Sequence, residues 1–494
     1  MILQHKHRKD YLHLFILSIV TIYIWHPLTN LVIQWEGYMY LNAWEYLTFL
    51  TNPWTLLTSA YVQGTFVGAL FSKLFGLNMP LYFWAEIFSI LTVNICVYFL
   101  ARTLTRNSTT AFVAAFIFAV NFFGNTNIFL PNFYGGHFLE RVIMNVPIFL
   151  VSFIYLHRFL AEKKIRYYAI SLLLFFLSIF LTHFSILLSF PIFLYPFFWE
   201  IGASFRLRSA LRAFMMIIPH TLIVIFFTQM DIYFSDQMLP KENILYFLTH
   251  PDIYRYPEGM LRQLVYISQY PSVIDAIRLR LYPLAFNDPP SAYRYVIPIV
   301  TAYGIGFLII WKKVKKYRAL LLTIVSSVTV SFLANMYLDR FDPFDDAKSQ
   351  RYYYFPSVWL SMFWSLVATT IFSKKRFILY GVISGFFLIN LSLFQHHFFY
   401  RNLYSVPTKK LYEYIVRNYT LIQPNSLVIV GPTPDFGPYD TTFFTEQLGD
   451  NRNIVFRTED VSYGDWRPMA STSAHLVMLT YDNNCSCVKQ ETLR

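Results

Sequence analysis

The sequence predicts an all-α polytopic membrane protein of about 11 transmembrane helices, followed by a small C-terminal α/β domain. Three observations carry this. Hydrophobic residues make up 56% of the 494 positions and charged residues only 14%, too little charge to cover a soluble surface of that size. Apolar runs of about 18 to 23 residues recur, the length a helix needs to cross the hydrocarbon core. Short basic clusters separate the runs, as the positive-inside pattern requires.

Taken in order, the chain opens with His5, Lys6, His7, Arg8 and Lys9 ahead of an apolar stretch at 11–33. No small-residue cleavage site follows, so this reads as a retained first helix with a cytoplasmic N-terminus. The next stretch, 34–79, is apolar but irregular, with Trp35, Trp44 and Trp54. Segment 54–76 is read as an interfacial hairpin rather than a span, because that choice keeps Arg102 and Arg106 inside. Spans are then expected at 80–101, 109–130, 142–160, 167–182, 185–201, 213–229, 295–311, 319–338, 352–372 and 377–395. The basic turns between them include Lys163, Lys164 and Arg166, then Lys312 to Arg318, then Lys374, Lys375 and Arg376. An odd number of crossings leaves the C-terminus outside, so the chain divides into a membrane domain, 1–399, and an extracytoplasmic domain, 400–494. In the latter a helix is expected at 408–419 and strands at 427–430, 453–456 and 476–480, separated by Gly and Pro turn signals.

The net charge of +12 is scattered over these turns, which argues against a nucleic-acid face and for the lipid bilayer as partner. Of the three cysteines, Cys96 lies inside an apolar run. Cys485 and Cys487 stand one residue apart, a spacing that strains a mutual bridge and completes no metal set, so all three read as incidental.

Outer segments are long and chemically varied, whereas inner ones are short and basic, so candidate chemistry is sought outside. Glu36 follows the first helix among Trp35, Tyr38 and Tyr40. Partial desolvation there raises a carboxyl pKa and equips it to accept a proton; the plainer reading is a charge marking the helix end. Arg351, with Tyr352 and Tyr354, stands at the mouth of a late helix and offers a planar fork to a phosphate, or else forms an aromatic belt with one anchor. Glu45, His137, Glu140, Arg141 and His183 are secondary candidates for substrate contact. The acidic run Asp339, Asp342, Asp345 and Asp346 fits no metal site and reads as a solvated loop.

Two strings carry a resemblance. The order Glu36, Asn52-Pro53-Trp54, then Leu74-Phe75-Gly76-Leu77 before a span resembles the first outer loop of the GT-C superfamily of glycosyltransferases. Ser349-Gln350-Arg351-Tyr352-Tyr353-Tyr354-Phe355-Pro356-Ser357 looks like the Arg-Tyr-x-Tyr-x-Pro-Ser element of the transmembrane and tetratricopeptide-repeat O-mannosyltransferases, which are similar in turn to dolichyl-phosphate-mannose protein mannosyltransferases; no repeats follow here. The family usually pairs two acids in the first loop, whereas Glu36 precedes Gly37 and its nearest acidic neighbour is Glu45.

The resemblance implies a GT-C-like membrane glycosyltransferase, mannosyltransferase-like, that moves a sugar from a polyprenyl-phosphate carrier to a protein, lipid or glycan acceptor on the outer face. Glu36 would be the base, and Arg351, Tyr352 and Tyr354 would hold the donor phosphate. No further cofactor is implied, and a divalent metal stays open. A transporter or flippase of a lipid-linked precursor, or an O-antigen ligase-like polymerase, are the alternatives. Glu86 inside a span speaks for the transporter, and an acid directly after the first helix speaks against the ligase.

Overall fold

A computed structural model describes residues 2–30, 74–121, 144–181, 189–203, 207–235, 260–261, 263–264, 268, 289–338, 354–433, 441, 444–449, 452–459 and 466–493. Among these the fold is mostly helical with one small C-terminal sheet. The long helices are α1 Ile2–Trp25, α2 Met79–Thr105, α3 Ser108–Val120, α4 Met144–Glu162, α5 Ile165–Leu181, α6 Phe190–Ala203, α7 Leu207–Ser235, α8 Pro289–Lys313, α9 Arg318–Leu338, α10 Tyr354–Ile371 and α11 Arg376–Asn418. Among the described residues six segments are long and apolar enough to cross a membrane, and they fall in α1, α2, α7, α8, α9 and α11. Shorter apolar stretches lie in α3, α5 and α6. The expected count of about 11 crossings goes beyond these six.

Local chemistry sets the helix ends. Pro27 stands two residues past Trp25, and the chain leaves α1 through the short 3-10 turn His26–Asn30. Pro80 sits in the first turn of α2, where its missing N–H has no intrahelical partner to lose. Arg106 closes α2 in the left-handed region, with φ 56°. Asn107 then caps α3, its side-chain oxygen accepting from the backbone N–H groups of Thr109 and Thr110 at 2.9 and 3.3 Å.

The helices pack around α10, whose residues from Tyr354 to Phe363 are all buried. Helix α3 lies against α2 and α10, α4 against α2 and α5, and α6 against α9. Small hydroxyls join them as lipid-immersed helices require. Ser152 of α4 donates to the Ser171 carbonyl at 2.8 Å, and Ser171 of α5 returns the bond to the Ser152 carbonyl at 2.9 Å. Asn94 of α2 donates to Thr21 of α1 at 2.9 Å. The opposite surfaces stay apolar: Phe214, Leu222 and Phe226 of α7, Ile297 and Leu308 of α8, and Phe15 and Tyr23 of α1 are exposed, which suits lipid contact.

The last helix differs from expectation. Instead of a membrane helix ending near 395 and a separate helix at 408–419, α11 runs unbroken for 43 residues. No glycine interrupts 386–418, and Pro407 is accommodated inside the helix. At 1.5 Å per residue it is about 65 Å long, roughly twice the hydrocarbon core; its first half holds the apolar stretch Arg376–Gln395, and its second half exceeds what a crossing needs.

That second half carries the C-terminal sheet. Strands β1 Ser426–Val430, β2 Val455–Thr458, β3 His475–Asp482 and β4 Cys487–Thr492 are ordered β2-β1-β3-β4. β1 pairs in parallel with β2 and β3, and β3 and β4 form an antiparallel hairpin. The three expected strands are present within two residues at each end; β4, polar and exposed, was not foreseen. Central β1 is buried at all five positions, as a parallel strand covered on both faces must be. Leu411 and Ile415 of α11 and Tyr82 of α2 complete its core.

The cysteines also differ from expectation. Cys485 and Cys487 form a disulfide at the hairpin tip, with Cα atoms 5.1 Å apart. Ser486 between them takes a left-handed φ of 50°, which brings the two Cα atoms into bridging range.

Candidate functional site

Of the residues singled out in the sequence, Glu36, Glu45, His137, Glu140, Arg141, His183, Arg351 and Tyr352 lie outside the described residues. Tyr354 is described, and so are the anchors from which several of the others depart. The geometry of these anchors defines the site's frame.

Glu36 comes six residues after Asn30, the end of the turn that follows α1. That turn is fixed from three sides. Trp25 packs edge-on against Phe394 and Phe398 of α11, with ring centroids 4.9 and 6.0 Å away. His26 meets Trp84 of α2 edge-on at 5.8 Å, and Thr29 Oγ1 donates to the His26 carbonyl at 2.8 Å. Lys409 of α11 reaches down to donate from Nζ to the Asn30 carbonyl at 2.9 Å. Beside the turn a cavity of about 490 Å³, lined by Ile22, Tyr23, His26, Pro27, Phe394 and Phe398 among others, opens between α1 and α11.

The far end of the same segment is anchored next to it. Gly76, in the string Leu74-Phe75-Gly76-Leu77, has φ 52° and so makes the reversal into α2 that a side chain would strain. Tyr82 Oη donates to the Gly76 carbonyl and Tyr412 Oη to the Leu77 carbonyl, both at 2.7 Å. Burial raises the Tyr412 hydroxyl above its ordinary range, with Tyr82 nearby adding to the effect, so it stays a neutral donor. Lys409 and Tyr412 stand three residues apart, on one face of α11. The segment bearing Glu36 and Glu45 therefore begins and ends against a single helical face. Lys409 and Tyr412 were missed as site-framing residues; the amphipathic pattern over 408–419 was their only signal.

Arg351 stands three residues before α10. Its string enters the helix as Tyr354, Phe355, Pro356 and Ser357, with Pro356 in the first turn, where no intrahelical N–H bond is lost. Tyr354 is 1% exposed and packs edge-on against Phe118 of α3 at 5.1 Å. Its hydroxyl has no hydrogen-bond partner among the described residues. Phe355 turns onto Phe149 of α4 at 5.5 Å, and Ser357 Oγ donates to the Tyr354 carbonyl at 2.6 Å. Tyr354 is thus a core residue just below the point where Arg351 departs. Among the described residues no group of three or more His, Cys, Asp or Glu is placed to hold a metal.

Fold and frame together define a class: a helical membrane protein whose last helix rises into an α/β domain and clamps both ends of its first long connection. No protein-family model matches the chain, and no curated protein matches it.

Proposed function

We propose that the chain is a membrane glycosyltransferase that moves a sugar from a polyprenyl-phosphate carrier to an acceptor hydroxyl on the face bearing the C-terminal domain. In this reading Glu36 accepts the hydroxyl proton as the acceptor oxygen bonds to the anomeric carbon. The bond from that carbon to the carrier phosphate breaks, and the Arg351 guanidinium takes up the charge on the leaving phosphate with its planar pair of donors. The observation that carries the reading is the first outer segment, in which an acid follows α1 and a Phe-Gly reversal precedes α2, held at both ends by Lys409 and Tyr412. Pinning both ends limits how far the intervening chain can stray, which supports a role for it in positional catalysis. The buried Tyr354 hydroxyl, which has no hydrogen-bond partner among the described residues, is consistent with it, since such a donor invites a partner.

The test is Glu36→Gln, with Glu45→Gln as control. The amide keeps size and polarity but cannot take the proton, so transfer from a polyprenyl-phosphate sugar should fall on the order of 100- to 10,000-fold while donor binding persists. Near wild-type transfer by Glu36→Gln together with loss in Glu45→Gln would move the base to Glu45, and no effect of either would remove the transferase reading.

A transporter of a lipid-linked precursor is the second reading, favoured by Glu86, which is buried inside α2. Glu86→Gln abolishing movement of the lipid, with transfer never detected, would select it.

A further inference from the structure

On the face opposite the C-terminal domain, a cavity of about 500 Å³ opens where α2 turns into α3. Its walls include Lys9 of α1, Arg102 and Arg106 at the end of α2, Ser108 at the start of α3, and Lys316 and Tyr317 from the α8–α9 turn. Four cations from three separate stretches of chain therefore surround one concave space.

The backbone segments that bear them are held together, and two of the four side chains have contacts of their own. Tyr98 Oη and Arg102 Nε both donate to Asp10 Oδ1, at 2.5 and 3.2 Å, which locks α1 against α2. Tyr317 Oη donates to the Thr105 carbonyl at 2.9 Å and brings the α8–α9 turn over the end of α2. The Lys316 ammonium sits 4.6 Å above the Tyr317 ring. Of these four cations Asp10 pairs with Arg102, and among the described residues no carboxylate pairs with Lys9, Arg106 or Lys316. Basic residues that merely set orientation can spread into solvent, and nothing requires them to converge. Like charges gathered around a concavity create a potential that an anion relieves. Guanidinium forks match phosphate oxygens, and the capped start of α3 adds the positive end of a helix dipole.

We propose that this cavity binds a phosphate-bearing anion, either the headgroup of an anionic phospholipid or a free phosphate compound. It is separate from the proposed transfer site: α2 spans 27 residues, about 40 Å, between this cavity and the Gly76 reversal. Basic pockets between membrane helices are suited to anionic lipid headgroups.

The test uses the purified full chain in a neutral detergent. Wild type, the triple variant K9Q/R106Q/K316Q and the control K374Q/K375Q/R376Q are compared by thermal stability on titration with phosphatidylglycerol, phosphatidylcholine and inorganic pyrophosphate. The control removes the same charge from another turn, and Arg102 is left intact to keep the Asp10 link. Phosphatidylglycerol should stabilise wild type and control at concentrations at least tenfold below those needed by the triple variant, with phosphatidylcholine inert. A matching response to pyrophosphate would identify a free phosphate compound as the ligand, and its absence a lipid headgroup. Should the triple variant not fold, native mass spectrometry of wild type from mixed micelles replaces it, with selective retention of phosphatidylglycerol over phosphatidylcholine or of pyrophosphate expected. No selective retention or stabilisation by either anion, or equal loss in the control, would overturn the proposal.

Discussion

Arg351 shows how one residue type can be tested against its nearest substitute. Lysine preserves the charge but offers no planar pair of donors, so Arg351→Lys should retain part of the donor affinity that Arg351→Ala loses. The measurement is the KM for a polyprenyl-phosphate sugar, which should rise several-fold in the lysine variant and more in the alanine variant. Equal KM in wild type and both variants would make Arg351 an interfacial anchor and nothing more. At this scale the sequence was informative about type and silent about direction. Tyr354 reads equally well as a headgroup-level tyrosine or as core, and only its packing on Phe118 distinguishes the two. Cys485 and Cys487 misled in the other direction, because spacing alone does not disclose that Ser486 adopts a left-handed backbone.

Among the elements, the contact between α8 and α10 depends on the absence of a side chain. A Cβ on Gly306 would come within 3.0 Å of both Phe363 and Val367, whereas one on Gly304 would meet nothing within 4 Å. Gly306→Leu should therefore overpack the interface and cost about 1 to 3 kcal/mol. Gly304→Ala should be neutral or slightly stabilising, since alanine suits a helix interior better by about 1 kcal/mol. Thermal unfolding in detergent checks the pair, and similar effects of the two would remove the close-approach argument. Element identity was largely legible, because runs of apolar residues this long admit few other structures. The ends of α11 were not: composition changes after Tyr400 while the backbone continues, and a change of solvent alters side chains without requiring a break in a helix. Strand β4 was hidden for a related reason, being an edge strand whose exposed residues show no apolar alternation.

For the whole molecule the expectation is a cytoplasmic N-terminus and an extracytoplasmic C-terminal domain. The Cys485–Cys487 disulfide supports it, since such bonds persist in oxidising compartments. Cysteines introduced at Asn287 and Asn451 should react with an impermeant thiol reagent applied from outside, and one at Lys315 should react only after permeabilisation. Labelling of the Lys315 variant in intact cells would invert the molecule, moving the proposed transfer site to the cytoplasm and the phosphate cavity to the exterior. The orientation expectation rests on the basic turns alone, whereas the bonds from α11 to Asn30 and Leu77 were not legible, as they join positions more than 300 residues apart.

That separation also orders events during synthesis. Residues 31–73 leave the ribosome early, yet the groups that pin their two ends, Lys409 and Tyr412, are made 379 and 335 residues after their partners Asn30 and Leu77. At about 5 to 20 residues per second, the segment waits on the order of a minute or less before either clasp exists. Under the proposed transferase reading, transfer should therefore begin only after α11 has been made. Completion of the last helix is thus the step that makes both clasps available.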